Sequence, residues 1–436
     1  MDILKEYNRQ NPKSKEAYTR ARKVLPGGNT RTALYWPPFP LCMRRGNGTS
    51  LWDVDGNERT DFNFNNTTLI MGHNHPEVVS AAKAQLEMGT VLGAPTETEM
   101  RLAEELTSRL GTDMIRFTPS GTEANMQAIR VARSYTGKPM IAKCYGAYHG
   151  SWDAVVLNPE DKYGVPSEVL KNTLFFPYND AEAAEKLIKQ NKDNLAAVIV
   201  EPTQRDLSPR QGFLQRLKET AEENDVLLVF DEVISFRLSP GGAQKLFRVK
   251  PDITTMGKII GGGFPVGAYT SSEEVMSPLN IQETVLPEIS SPKLGFSGTF
   301  NAHPLAMSSG LKVMNLMKRE VYDRMARVGD RARKGLRSLL NDAGFNVHVG
   351  GEGSFFHIIW TEKEVYDSET ALTEDKVVAR YYSLGLMNRG VFKLGHPNIS
   401  AVTEKTEIDK LLSAAEETFG DLGPLIQSRA PNLLQT

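Results

Sequence analysis

Residues 116–133, RFTPSGTEANMQAIRVAR, join a short apolar strand to a helix through a turn of three small residues. Ser120, Gly121 and Thr122 form the predicted turn, and Glu123 stands in the first turn of the helix. The first amides of a helix have no intrahelical acceptor and lie at the positive end of the helix dipole, so this turn suits a phosphate group. Serine also caps helices where no ligand binds, so helix capping stays an alternative explanation.

The same alternation of strands and helices extends through the middle of the chain. Short apolar runs, MIRFT, PMIAK, AAVIV and VLLVF, alternate with predicted helices at 77–89, 97–110, 121–135, 181–190 and 212–224. Runs that are apolar on both alternating faces are typical of strands buried between two layers of helices. The sequence therefore predicts an α/β large domain with a mostly parallel sheet.

Smaller units are predicted on both sides of this region. SLWDVDGNERTDF is typical of a hairpin through an Asp-Gly turn, and a long helical stretch runs from His303 to Gly344 before a mixed strand and helix segment. We expect an N-terminal segment, 1–60, that packs with the small domain. The large domain is expected at 61–317 and a C-terminal α+β domain at 318–436.

The composition favours a small-molecule partner. The 436 residues contain 51 Lys and Arg against 53 Asp and Glu, a formal net charge of −2, which gives no indication of a nucleic acid or membrane partner. Two widely spaced cysteines, Cys42 and Cys144, and the lack of a signal or transit pattern at the start predict a cytoplasmic protein. His73 and His75 directly precede Pro76, which predicts a turn at the start of a helix rather than a metal site.

Two further motifs follow later strands. Asp231 and Glu232 lie at the carboxyl end of the run VLLVF, where ligands collect in open α/β sheets. A carboxylate there would keep a ring nitrogen protonated, while a capping role for Asp231 is an equal alternative. Lys258 follows in DITTMGKIIGGGFPVGAY, and a lysine among small residues in a partly desolvated setting has a lowered pKa and forms a Schiff base with an aldehyde.

The three motifs together predict a cofactor. A phosphate cradle, a carboxylate for a pyridinium nitrogen and an imine-forming lysine are the groups needed to hold pyridoxal 5'-phosphate (PLP). We expect the glycines at 261–263 to let the chain turn tightly beside this flat molecule, and Lys258 to tether it covalently. A Rossmann oxidoreductase is disfavoured, because GGG follows a lysine here instead of opening a helix after a first strand.

The motifs SGTEAN, YGAYHG, IVEP, VFDEV, TMGKIIGGGFPVGAY and FSGTFNAHPLAM resemble those of the class III (ω-type) aminotransferases of PLP fold type I. The resemblance covers nearly the whole chain. Glutamate-1-semialdehyde aminomutases and β-phenylalanine aminotransferases look most similar, and the block PGGNTRTALYWPPFP resembles the latter in particular. The implied protein is a PLP-dependent homodimer with an aspartate aminotransferase-like large domain.

The resemblance also implies roles for single residues. Tyr148 would stack on the pyridine ring and Val233 would pack on its opposite face, while Thr299 would reach the phosphate of the neighbouring subunit's cofactor. The active sites would therefore be shared within the dimer. The expected cofactor-binding set is Ser120, Gly121, Thr122, Tyr148, His149, Glu201, Asp231, Val233, Lys258 and Thr299, with Lys258 and Asp231 catalytic.

The substrate residues are predicted on the aromatic block near the N-terminus. Arg31 offers a guanidinium fork for a carboxylate beside Tyr35, Trp36 and Phe39, unless Arg31 pairs with a surface carboxylate and the aromatics only dock the segment. The segment GVFKLGHPNIS lacks an arginine that β-phenylalanine aminotransferases carry there, and Arg205 is the candidate to replace it.

The expected activity is a ping-pong transfer of an amino group from a β-amino acid or an aryl or ω-amino donor to a keto acid. A glutamate-1-semialdehyde 2,1-aminomutase and an amine transaminase are the alternatives. A non-catalytic protein on the same fold is disfavoured by the presence of Lys258 and Asp231.

Overall fold

The computed structural model describes residues 2–161, 163–204, 207–280 and 294–435. The chain divides into two compact units. The first comprises Met1–His75, Asp323–Val365 and Thr370–Thr436, and the second comprises Pro76–Tyr322 and Tyr366–Glu369. The predicted domain limits, 1–60, 61–317 and 318–436, stay a prediction, because compactness alone does not define a domain that folds independently.

Strands and helices follow one another along the chain with these bounds. The strands are β1 Met43–Asn47, β2 Ser50–Asp53, β3 Glu58–Asp61, β4 Met114–Thr118, β5 Met140–Cys144, β6 Thr173–Phe176, β7 Leu195–Val200, β8 Leu227–Asp231, β9 Ile253–Gly257, β10 Gly267–Ser271, β11 His348–Gly350, β12 His357–Ile359 and β13 Val391–Phe392. The helices are α1 Ile3–Gln10, α2 Pro12–Ala21, α3 Phe64–Thr67, α4 Pro76–Met88, α5 Glu97–Leu110, α6 Gly121–Thr136, α7 Ser167–Leu170, α8 Ala181–Asn191, α9 Phe213–Glu222, α10 Gly242–Phe247, α11 Glu273–Met276, α12 Pro304–Leu316, α13 Arg319–Asp342, α14 Ser368–Ala371, α15 Lys376–Asn388 and α16 Lys405–Arg429.

A seven-stranded sheet of order β4-β10-β9-β8-β7-β5-β6 forms the centre of the second unit. β10 runs antiparallel to both of its neighbours, and the pairs β9–β8, β8–β7, β7–β5 and β5–β6 are parallel. The predicted mostly parallel α/β sheet is confirmed. β10 was not predicted, because GAYTS lies inside the motif that sequence analysis interpreted as a cofactor turn.

Burial on both faces explains why these strands are apolar throughout. Every residue of β7 is buried, as is every residue of β9, while α6 and α9 pack on the sheet. Since β4 runs antiparallel to β10 and β10 antiparallel to β9, the carboxyl ends of β4, β9, β8, β7 and β5 all meet at one edge of the sheet. Each predicted site residue of the second unit, apart from Thr299 and Val233, lies at or shortly after the carboxyl end of one of these strands, and Val233 is two residues beyond the end of β8.

The first unit contains the four-stranded sheet β1-β2-β3-β13 and the two-stranded sheet β11-β12. β2 and β3 form the predicted hairpin, with Leu51 opposite Arg59. The chain then enters α3, where four consecutive residues, Phe64 to Thr67, have φ between 45° and 75°. Such left-handed backbone is strained for residues other than glycine, and Asn63 supports it by accepting a hydrogen bond from the Asn66 amide at 2.9 Å.

Two predicted elements end earlier than expected. The helical stretch from His303 to Gly344 is divided into α12 and α13, because the backbone at Met317 leaves the helical region with ψ of 78°. The helix before Pro26 ends at Ala21.

Within the part of the chain that the structure describes, no helix is both long and apolar enough to cross a membrane. Cytoplasmic localisation stays a prediction.

Helix α12 packs directly on the turn that carries Lys258. A Cβ atom on Gly310 of α12 would lie 1.9 Å from the carbonyl oxygen of Ile260. This distance is far below any real Cβ contact, so only glycine lets the helix approach the turn this closely. Gly420 in α16 is also helical, and a Cβ atom there would meet no atom within 4 Å.

This difference predicts opposite effects of one substitution at two helical glycines. Gly310→Ala should lower the free energy of unfolding by about 1–3 kcal/mol, because the helix or the Ile260 turn must move. Gly420→Ala, the matched control, should raise it by roughly 0.5–1 kcal/mol, because alanine favours a helix more than glycine does. Urea denaturation followed by tryptophan fluorescence checks both. Equal effects of the two substitutions would contradict the packing argument.

Candidate active site

The buried carboxylate of Asp231 lies at the end of β8 and accepts three hydrogen bonds. The Val233 amide donates to Oδ1 at 3.0 Å, while Asn125 Nδ2 and His149 Nδ1 lie 2.7 Å and 2.8 Å from Oδ2. Asp231 is 4% exposed, and these three donors satisfy its buried oxygens. One lone pair of Oδ1 remains for a further donor, as a protonated ring nitrogen would require.

Sequence analysis gave no role to Asn125, although it lies within the motif SGTEAN. It stands one turn after the start of α6, and its Oδ1 accepts a hydrogen bond from Thr255 Oγ1 on β9 at 2.5 Å. Asn125 Nδ2 also lies 3.2 Å from the carbonyl oxygen of His149. This side chain therefore connects a helix, a strand and a loop to the Asp231 carboxylate.

His149 is fully buried, and its ring is a hydrogen-bond donor to Asp231, not a base that exchanges protons with solvent. Burial lowers the pKa of His149, while the hydrogen bond and the charge of Asp231 act in the opposite direction. The neutral ring donates from Nδ1 to Asp231, and its Nε2 atom is buried without a hydrogen-bond partner among the described residues. An unpartnered buried nitrogen beside the Asp231 carboxylate indicates that a polar group is to be accommodated there.

Glu232 is buried beside Asp231 but points elsewhere. It accepts hydrogen bonds from Ser235 Oγ and from the amides of Ala243 and Gln244 at the start of α10. Burial raises the pKa of Glu232 to about 7 against the effect of these three donors. The structure thus separates two adjacent carboxyl groups, and Asp231 is the one that faces the candidate site.

The loop after β5 carries Tyr148 and His149 to the same edge of the sheet. The Tyr148 amide donates to Glu201 Oε2 at 3.2 Å, so the buried Glu201 at the end of β7 fixes the backbone of this loop. The Tyr148 ring is half exposed, and its hydroxyl lies 3.1 Å from Ser151 Oγ. Stacking of this ring on a cofactor stays a prediction.

The start of α6 forms a close-fitting cradle. Ser120 Oγ accepts a hydrogen bond from the Glu123 amide at 3.2 Å, so the capping interaction is present, and the hydroxyl hydrogen stays free to donate to a ligand. A Cβ atom on Gly121 would lie 2.9 Å from a methyl carbon of Val233, and one on Gly150 would lie 2.6 Å from Thr122 Oγ1. Glycine is therefore required at both positions for these loops to meet at the helix amides.

Lys258 follows β9 and adopts a left-handed backbone with φ of 50°. Although part of its side chain is accessible to solvent, burial of the amine lowers the pKa of Lys258 to about 8. The charges of Asp231 and Glu201 oppose this shift, and that of the buried Arg237 adds to it. No hydrogen bond to a described residue is among the causes of this shift, which leaves Nζ available for reaction.

The glycines after Lys258 form the expected tight turn, in which Gly262 and Gly263 have φ of 60° and 99°. The position of this turn beside a flat cofactor stays a prediction. A Cβ atom on Gly261 would lie 2.5 Å from Val266, and one on Gly262 would lie 2.6 Å from the Ser309 backbone of α12. These two glycines therefore also allow the close approach of protein atoms, which holds the Lys258 turn in place.

The arrangement fits PLP. An anionic phosphate suits the first amides of α6, and the buried Asp231 carboxylate suits a protonated pyridine nitrogen. The Lys258 amine, with its lowered pKa, suits a carbonyl partner. Among the described residues, no group of three or more His, Cys, Asp or Glu side chains could hold a metal ion.

Of the other predicted residues, Thr299 and Phe39 belong to the described part of the chain and Arg205 does not. Thr299 is exposed in the segment before α12, and its place in a partner's site stays a prediction. Arg205 lies outside the described residues. Phe39 is buried against the Tyr7 ring at a centroid distance of 5.2 Å, so it docks the segment and is not a substrate wall as predicted.

Arg31 and Tyr35 lie on different cavities of the first unit. Arg31 Nη1 donates to Asn65 Oδ1, an amide oxygen, at 2.8 Å. Arg31 and Trp36 line a cavity of about 430 Å³, whereas Tyr35 lines a neighbouring one with Tyr18 and Arg22.

Comparisons with known proteins agree with this geometry. The family model described as aminotransferase class-III matches residues 34–418. Glutamate-1-semialdehyde 2,1-aminomutase of Methanothermobacter thermautotrophicus is 39% identical over 94% of this chain and 99% of that protein. An ω-transaminase from Sphaerobacter thermophilus is 40% identical with a TM-score of 0.88, and covers 94% of this chain and 97% of its own. A β-phenylalanine aminotransferase from Variovorax paradoxus is 31% identical with a TM-score of 0.89, and 97% of each chain is covered.

The chain belongs to the class III aminotransferases. It is a PLP-dependent enzyme with PLP fold type I, as the sequence motifs predicted.

The low pKa of Lys258 predicts its chemical reactivity. Only a neutral amine is acetylated, so pulse labelling of the cofactor-free protein with acetic anhydride should reach half its maximum at Lys258 near pH 8. Peptide mass spectrometry measures this, and Lys258→Arg identifies the peptide. Asp231→Asn should move the midpoint to lower pH, because the carboxylate charge favours the ammonium form. A midpoint near the ordinary value of 10.5 would contradict the described burial.

Proposed function

We propose that Lys258 is the catalytic lysine of amino-group transfer and that Asp231 maintains the charge that this reaction needs. When bound, PLP supplies an aldehyde that condenses with amines and a ring that accepts electrons from the substrate carbon. Lys258 Nζ would accept the proton that the substrate carbon loses and would hold it for return when the product forms. The observation that carries this proposal is a reactive amine of lowered pKa in a site built around the Asp231 carboxylate.

The role of Asp231 depends on its own hydrogen bonds. Asn125, His149 and the Val233 amide all donate to Asp231, so its buried oxygens are satisfied as hydrogen-bond acceptors. An ionised carboxylate keeps a pyridine nitrogen protonated, and neutral His149 leaves that negative charge uncompensated. Ser120, Gly121 and Thr122 would hold the phosphate, and Val233 would limit the space beside Gly121.

The first substrate candidate is an amino aldehyde of the glutamate-1-semialdehyde type, isomerised without a second substrate. Support comes from aminomutases that are 37–39% identical and align with more than nine-tenths of this chain. They favour the aminomutase alternative over the β-amino acid transaminase that sequence analysis put first. The β-amino acid donor has the weaker support of one neighbour at 31% identity and of the block PGGNTRTALYWPPFP.

The second candidate is an ω-type transaminase that passes the amino group to a keto acid in a ping-pong reaction. The ω-transaminase from Sphaerobacter thermophilus, at 40% identity, supports it.

A homodimer with shared active sites is proposed for either reaction. Exposed apolar side chains of the second unit, among them Met88, Leu92 and Phe300, offer surface for such contacts, and light scattering in solution tests the dimer.

Arg31 is proposed to bind the substrate carboxylate. The cavity that it lines has apolar walls that include Leu34, Trp36 and Phe392. Asn29 Oδ1 accepts a hydrogen bond from the Arg31 amide at 2.8 Å, so together with Asn65 this residue is held at its backbone and at its guanidinium group. A pre-oriented guanidinium beside an apolar cavity suits a carboxylate that carries a hydrocarbon chain.

The requirement for an acceptor separates the two candidates. We expect the PLP-loaded enzyme to convert glutamate-1-semialdehyde to the isomer with the amino group on the neighbouring carbon when no keto acid is added. Chromatography of the products measures this, with a keto acid added in a parallel reaction. Product formation only in the parallel reaction would identify a transaminase instead. Lys258→Ala should abolish both reactions, and near wild-type turnover of this variant would refute the proposed mechanism.

Removal of the Arg31 guanidinium should weaken substrate binding selectively. Arg31→Ala should raise the KM of a carboxylate-bearing substrate about tenfold, since an exposed charge-assisted hydrogen bond contributes roughly 1.5 kcal/mol. The KM of an amine without a carboxylate should not change. Steady-state kinetics measure both, with Arg22→Ala, an exposed arginine of the same segment, as the matched control. Unchanged KM for all substrates would exclude Arg31 from the site.

A further inference from the structure

Lys143 is a fully buried lysine that neither the sequence motifs nor the proposed reaction uses. It lies on β5, opposite Phe175 of β6, with its amine 5.3 Å from the centre of that ring. Its Nζ atom donates to the carbonyl oxygens of Ala147 and Val156 at 2.9 Å each, and to that of Leu157 at 3.3 Å. An uncompensated buried ammonium is costly, so a cation in this position has to be matched by polar groups that are held in place.

The three carbonyl acceptors come from both arms of the loop that follows β5. Ala147 lies on the outgoing arm, directly before Tyr148, while Val156 and Leu157 lie on the returning arm. The two arms also meet through the Gly146 amide, which donates to the Leu157 carbonyl oxygen at 3.0 Å. Lys143 therefore closes the base of this loop from inside the protein.

The outgoing arm is fixed at three successive points. Lys143 holds the carbonyl of Ala147, Glu201 accepts from the amide of Tyr148, and Asn125 donates to the carbonyl of His149. Two of these three partners, Glu201 and Asn125, already belong to the candidate site. Lys143 supplies the third point.

The positive charge of Lys143 acts on His149, in addition to the hydrogen bonds that Lys143 donates to the loop. Burial is the main cause of the lowered pKa of His149, and the nearby positive charge of Lys143 lowers it further. A neutral His149 donates one hydrogen to Asp231 and leaves that carboxylate its full charge. The ammonium thus supports both the position and the protonation state of the imidazole.

We propose that Lys143 is a positioning residue for the cofactor, because it ties Ala147 to Val156 and Leu157 and so fixes Tyr148 and His149 against the site. Its contact is with the loop backbone and not with the reacting atoms. The inference rests on the proposed cofactor role of the loop and is independent of the substrate. Removal of its donors should leave Tyr148 and His149 less well placed for PLP.

Binding of PLP to the cofactor-free protein tests this inference. Lys143→Met keeps the length of the side chain but removes its donors, and should raise the Kd for PLP about tenfold, comparable to the loss of one aromatic stacking contact. The visible circular dichroism of bound PLP should change at the same time. Lys143→Arg, which retains the charge and donor groups, should recover part of both signals.

The control is a partly exposed lysine outside this loop that also donates to a backbone carbonyl. Lys138 Nζ donates to the Asp225 carbonyl oxygen at 2.7 Å, and Lys138→Met should leave the Kd and the circular dichroism as in the wild type. If Lys143→Met lowers only the melting temperature of the cofactor-free protein, with an unchanged Kd and spectrum, Lys143 is structural and the inference is wrong. If Lys143→Met does not fold, Lys143→Gln replaces it, and an unchanged Kd for that variant overturns the inference equally.

Discussion

The candidate site in the second unit depends on satisfying the buried carboxylate of Asp231 with hydrogen bonds. A buried polar group without hydrogen-bond partners is costly. Three donors satisfy the carboxylate here, and they come from α6, from the loop after β5 and from the chain directly after β8. The hydrogen bonds to this one carboxylate thus hold three separate segments of the chain together.

Neighbouring features follow from the same constraint. Asn125 donates to Asp231 while its own oxygen accepts from Thr255, which ties α6 to β9 as well. A neutral His149 leaves the negative charge uncompensated, and burial favours this form because it lowers the pKa of His149. The loop that carries His149 is in turn anchored by Glu201 and by the buried ammonium of Lys143. Apart from His149 Nε2, these buried polar groups are hydrogen-bonded to one another, which holds the site in place before any ligand binds.

The close packing at Gly262 and Gly310 determines the position and backbone conformation of Lys258. Gly310 lets α12 approach the Ile260 carbonyl, and Gly262 lets the turn approach the Ser309 backbone. Between these contacts, Lys258 adopts a left-handed conformation that a looser turn would not hold. The amine is consequently desolvated and ready to react, and its lowered pKa is a property of the packing as much as of the residue.

The sequence by itself determined the α/β sheet, the family and the motifs around Ser120, Asp231 and Lys258, because strand burial and helix starts leave local patterns of residue types. It could not determine the partners of Asp231, since Asn125, His149 and Thr255 are brought together from positions far apart in the chain. Nor could it distinguish the glycines that contact α12 from glycines that face a ligand, or separate Phe39 from Trp36 as a cavity wall. Those distinctions depend on which surfaces meet in three dimensions, and only the tertiary structure decided them.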